Sequence, residues 1–128
     1  IDILNRGKAF FDKKNTFILS PHTKTDEVRD YLIRKGFKIL KEDMCIDEGK
    51  FYTVMEVRYT ENTVMYSEAE LLYGKYLIEN KHPVLLRFLK KEEEKYLSIL
   101  SNTGLNEDRK KELRHRLDII KETMNEMQ

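Results

Sequence analysis

The apolar positions change their period along the chain, and each change marks a different kind of element. In residues 1–14, Ile1, Leu4 and Phe11 share one helical stripe, with Asp2 near the positive end of the helix dipole. A chain that opens inside a helix is expected to be a piece of a longer one. Thr16 to Ser20 (TFILS) is a short apolar run between Asn15 and Pro21, which predicts a strand buried on both faces. Thr25 is then predicted to cap a helix whose first turn holds Asp26 and Glu27, with Val28, Tyr31 and Leu32 as its apolar stripe and Gly36 at its end. Phe37, Ile39, Leu40, Met44 and Ile46 outline a second strand whose apolar parity shifts near Lys41 to Asp43, as a bulge requires. After the turn Asp47-Glu48-Gly49-Lys50, residues Phe51 to Tyr59 alternate cleanly, so the two strands are expected to form an antiparallel hairpin.

From Ser67 onward the period is helical. Ser67 is a predicted cap for a helix carrying Leu71, Leu72, Tyr76 and Leu77, and Pro83 opens another with Leu85, Leu89, Tyr96, Ile99 and Leu100. Glu92, Glu93 and Glu94 interrupt that stripe with what reads as a solvated face. Asn106 caps the last helix, where Leu113, Leu117, Ile120, Met124 and Met127 recur at steps of four and three, the spacing of a coiled-coil seam. The short connection at 102–106 predicts that the two long helices lie antiparallel. The expected architecture is α/β over residues 1–62 followed by an α-helical coiled-coil hairpin over residues 63–128.

Composition narrows the chemistry. The 128 residues include 24 Lys+Arg and 23 Asp+Glu, a net charge of +1, with 37% charged residues. Neither half is polybasic, so any nucleic-acid footprint has to be a local patch. No apolar run approaches the roughly 18 residues that span a bilayer. Cys45 is the one cysteine and has no disulfide partner within the chain, which favours a reducing, cytoplasmic setting. His22, His82 and His115 are scattered, so no metal site is expected. The five glycines, at 7, 36, 49, 74 and 104, are isolated, and no phosphate-cradling turn is encoded. Consecutive carboxylates at 92–94 point about 100° apart around a helix and cannot converge on one bond. The loop Ser20, Pro21, His22 and Lys24 stands just beyond the carboxyl end of the first strand, where open α/β sheets place ligands, and is the candidate substrate loop. Lys13, Lys14, Arg29 and Lys50 are candidate contacts to an RNA backbone.

The order of segments resembles a known family. Phe17-Ile18-Leu19-Ser20-Pro21, then Val28-Arg29-Asp30-Tyr31-Leu32 with Lys35-Gly36-Phe37-Lys38-Ile39, then Asp47-Glu48-Gly49-Lys50-Phe51-Tyr52 and Leu72-Tyr73-Gly74-Lys75-Tyr76-Leu77 are similar to the carboxyl-terminal part of bacterial tRNA adenine-22 N1-methyltransferases. The resemblance implies the late strands of a class I, Rossmann-like methyltransferase sheet ending in an antiparallel hairpin, followed by a coiled coil. It implies S-adenosylmethionine as cofactor and tRNA as partner. It also implies that the cofactor-binding and catalytic residues lie upstream of Ile1, so that this stretch alone is expected to be inactive and to bind no cofactor. Family members tend to have Gln-Pro-Asn where this chain has Ser20-Pro21-His22, so the loop offers different side chains. Self-association through an exposed sheet edge or the coiled coil is a further expectation. Without the resemblance, the residues also suit a non-catalytic α/β module displaying a coiled coil to a protein partner.

Overall fold

In a computed structural model of the chain, residues 16–21, 24–102 and 104–128 are described. The helix expected over residues 1–14 lies outside them. The chain divides into two compact units, Ile1–Leu77 and Ile78–Gln128.

The first unit holds strand β1 (Thr16–Leu19), helix α1 (Thr25–Arg34), strands β2 (Phe37–Asp47) and β3 (Lys50–Tyr59), and helix α2 (Glu68–Tyr73). The sheet order is β1-β3-β2, with β3 antiparallel to both neighbours. β1 and β2 therefore run in the same direction, one strand apart, and α1 is the crossover between them. Leu32 of α1 joins Phe37, Ile39, Met55 and Val57 in a buried cluster, edged by Phe17, Leu19, Val28 and Tyr31. All the strand residues in that cluster occupy one face of the sheet. The expectation that β1 is buried on both faces is corrected here. Its pattern alternates, with Ile18 69% exposed, because β1 is a sheet edge among the described residues and α1 covers only the face carrying Phe17 and Leu19.

The parity shift expected in β2 is present. Ile39 pairs with Val57 and Lys41 with Glu56, so Leu40 is the extra residue of a bulge. Before the bulge the inward residues are Phe37 and Ile39, and after it they are Glu42 and Met44. The bulge thus turns a carboxylate rather than a lysine into the interior. At the hairpin turn both Glu48 (φ 49°) and Gly49 (φ 77°) are left-handed, the type I′ arrangement whose twist matches the flanking strands.

Ser67 begins α2 with a reciprocal cap: its Oγ accepts from the Glu70 amide at 3.2 Å, and Glu70 Oε1 accepts from the Ser67 amide at 2.8 Å. The helix expected to continue through Leu77 is broken. Gly74, at φ 96°, ends α2, and a separate short helix α3 follows (Lys75–Glu79).

The second unit is built on α4 (Pro83–Leu100) and α5 (Glu107–Glu126). Pro83 sits at the start of α4, where His82 Nδ1 accepts from the Val84 amide at 3.1 Å. Asn106 caps α5 by accepting from the Arg109 amide at 2.8 Å. Tyr96 lies beside Arg116, while Lys90 and Glu94 share a groove with Lys121 and Asn125, so the two helices pack antiparallel. The buried face includes Leu85 and Leu89 of α4, and Leu113, Leu117 and Ile120 of α5. It is wider than a two-position seam, because Ile119 and Thr123 are buried as well. The Thr123 hydroxyl donates to the Ile119 carbonyl at 2.7 Å, which satisfies it inside the apolar face.

Candidate functional site

β1 stops opposite Met55, while the β2–β3 hairpin continues past it to the turn at 48–49. Beyond the end of β1, a side chain replaces the missing ladder: Ser20 Oγ donates to the Thr53 carbonyl at 3.2 Å. Pro21 is half-buried next to it. The chain enters α1 through Lys24, whose backbone is left-handed (φ 53°, ψ 46°) and whose side chain is exposed. The expected cap is corrected: Thr25 is already the first helical residue, and Lys24 occupies the cap position with no side-chain bond to the helix. Lys50 is exposed, pairs with Asp47, and lies at the same end of the sheet as Ser20. His22, Lys13 and Lys14 lie outside the described residues.

Arg29, expected on an RNA-facing surface, is 1% exposed. It shares a helix face with Leu32 and Ile33, three and four residues on, and that face is turned inward. Its Nε lies 3.0 and 3.2 Å from the two carboxylate oxygens of Glu42, and its Nη2 is 2.7 Å from Oε1. Nη1 donates to the Leu71 carbonyl at 2.7 Å. In an unbroken helix that carbonyl would accept from the amide of residue 75, so the guanidinium takes a bond that the break at Gly74 releases. The structure therefore removes Arg29 from the set of available phosphate contacts. A carboxylate and guanidinium buried this completely need their mutual bonds to offset lost hydration. Close to them, burial is the main force raising the Tyr66 phenol well above its ordinary range, with Tyr76, Glu42 and Glu70 adding to it and Arg29 opposing. Lys75 Nζ lies 5.8 Å from the centre of the Tyr66 ring. From the sequence Arg29 is read as a contact for an RNA backbone, and Glu42 lies unremarked within the parity shift at Lys41 to Asp43. Their pairing is not visible there.

In the second unit, the Arg116 guanidinium lies 5.9 Å from the centre of the Tyr96 ring, and Lys95 Nζ lies 5.7 Å from it. Glu92 departs from the solvated face expected of it. It is half-buried, and loss of hydration pushes its carboxyl above the usual range despite Lys95 and Arg116 nearby.

Among the described residues, no three His, Cys, Asp or Glu side chains are grouped as metal ligands. Nor do the described glycines form a cradle for a nucleotide-like cofactor. A Cβ at Gly36 would meet the Glu61 backbone at 3.0 Å, one at Gly74 would meet Arg29 and Leu77, and Gly49 is the tip of the hairpin. These glycines offer S-adenosylmethionine no cradle, so no chemical step is assigned to them through it. What the described residues of the first unit offer is Ser20 bonded to β3, a hairpin that continues past the end of β1, and two exposed lysines, Lys24 and Lys50.

A strand–helix–strand crossover with the last strand inserted antiparallel between the other two defines a Rossmann-like α/β protein. A Rossmann-superfamily structure from Streptococcus agalactiae is similar at 25% identity and a TM-score of 0.83, covering 96% of this chain and 53% of that one. The Streptococcus pneumoniae protein assigned as a tRNA (m1A22) methyltransferase matches at 27% identity and a TM-score of 0.88, over 96% of this chain and 55% of that one, and it has also been solved with S-adenosyl-L-methionine. The model of the family described as tRNA (adenine(22)-N(1))-methyltransferase matches residues 1–125, and the chain belongs to that family. The Bacillus subtilis tRNA (adenine(22)-N(1))-methyltransferase is 26% identical over 133 residues. That alignment takes in 96% of this chain and 56% of the relative, so the chain spans about half the length of the curated relative it matches.

Proposed function

We propose that this chain serves an S-adenosylmethionine-dependent methyltransferase acting on N1 of adenine 22 in tRNA, and that it contributes substrate-facing surface rather than the cofactor cradle. The observation that carries this reading is the family match along residues 1–125 on a fold shared with the Streptococcus pneumoniae protein. Adenine N1 is engaged in pairing or stacking in a folded RNA, so the base has to leave its stack to meet a methyl donor. The loop bearing Ser20, Pro21, His22 and Lys24 forms one wall for that base. Lys13, Lys14 and Lys50 contact phosphates and set position without reading sequence. The helical part, residues 63–128, is a coiled-coil hairpin that holds the tRNA body by shape. Residues 1–62 form the α/β part, and the protein works in the cytoplasm.

The test is binding of unmodified tRNA across a salt series. Phosphate contacts release counterions, so affinity should fall linearly on a log–log plot of binding against salt. A measurable slope agrees with the proposal; no binding at low salt, together with tight association to a protein, would replace it with the interaction-module reading.

A further inference from the structure

The described ends of the candidate loop, Ser20 and Lys24, each adjoin an element held by side-chain bonds. On the strand side Ser20 Oγ holds the Thr53 carbonyl. On the helix side Arg29, one turn into α1, bonds Glu42 of β2 and the Leu71 carbonyl of α2. Those bonds join three elements that are distant in sequence. The Gly74 break is shaped around them, since a Cβ there would stand 3.0 Å from Arg29 Nη2 and 3.2 Å from Glu42 Oε1. A buried ion pair is seldom the most stabilising filling for an interior, and apolar residues of similar volume often do as well. What such a pair supplies, and apolar packing does not, is direction.

We propose that Arg29 is a positioning residue: through Glu42 and the Leu71 carbonyl it fixes the start of α1, and with it Lys24 at the cap position, against the helix break at Gly74. The proposal depends on the tRNA reading only for its second readout.

The experiment replaces the pair with apolar residues, Arg29→Met with Glu42→Leu, and follows hydrogen exchange of the full chain. Exchange at Val28, Asp30 and Gly74 should rise by roughly tenfold or more while Met55 and Val57 keep their protection. A uniform rise across the sheet, or none, overturns the proposal. If the double variant does not fold, Glu42→Gln, which keeps the shape and one acceptor oxygen, is judged by the same local-against-sheet comparison. The second readout is tRNA affinity at fixed salt, expected to weaken by roughly tenfold. Native affinity alongside locally loosened amides overturns the positioning role. Failure of the unaltered chain to bind tRNA strikes the functional reading instead, and the exchange pattern then decides the positioning claim alone.

Discussion

A Cβ on Gly74 would stand 3.0 Å from Nη2 of Arg29, so the residue that breaks the helix and the residue that bonds across the break leave little room for a side chain between them. Glycine at 74 is thus required twice, by its φ of 96° and by the guanidinium it faces.

This double requirement separates two glycines that share a left-handed backbone. Gly49→Ala places a methyl in open space, and its expected cost is about 1–2 kcal/mol from the backbone alone. Gly74→Ala adds overpacking against Arg29 and Leu77, about 1–3 kcal/mol more. Urea denaturation of both variants measures the difference, and equal midpoints would contradict the contact geometry.

Glu92 gives a pH-dependent prediction. Its carboxyl is pushed up by lost hydration, so the native state holds that proton to higher pH than the unfolded chain does. The stability linked to it is present at low pH and is lost as pH rises through the native value. Glu92→Gln should therefore raise the melting temperature at neutral pH, by the equivalent of less than ~1 kcal/mol because the group is half-exposed. The advantage should shrink on acidification, and an advantage that grew instead would reverse the assignment.

The helical unit should depend unequally on its apolar residues. Ile120 is fully buried and Leu97 is 49% exposed. Ile120→Ala is expected to cost about 2–5 kcal/mol; Leu97→Ala should stay within about 0.5 kcal/mol. Thermal melts followed by helical circular dichroism compare them directly.

Lys50 remains an exposed candidate for phosphate contact, and Lys24 of the candidate substrate loop is exposed as well. Each Lys→Ala change should weaken tRNA binding across sequences and lower the salt slope by about 1. Unchanged slopes in both variants would move the RNA surface elsewhere.

Much of the fold was legible because its signals are local. The parity shift in β2, the turn at 48–49, the Ser67 cap and the Asn106 cap each depend on a few neighbouring residues whose backbone bonds they complete. What was not legible depends on distant partners. Ile18 looks like a core residue until it is known that, among the described residues, the sheet is covered on one face. Arg29 looks like a solvated cation until Glu42 and the Leu71 carbonyl are brought to it from 13 and 42 residues away. Gly74 sits inside an apolar stripe that otherwise suits an unbroken helix, and the reason for the break is on another element. At the candidate site, the loop's position at the strand end could be read from the sequence, while the tethers at Ser20 and Arg29 could not.

The central strand is also the last of the three to be synthesised. As the chain leaves the ribosome, β1 and β2 emerge without pairing to each other, since β3 lies between them in the described sheet. β3 can zip onto β2 at once through the tight turn, but Thr16 waits for Arg58. Until then the edge of β1 that β3 will occupy carries unpaired backbone amides and carbonyls, a strand edge open to pairing with other nascent chains.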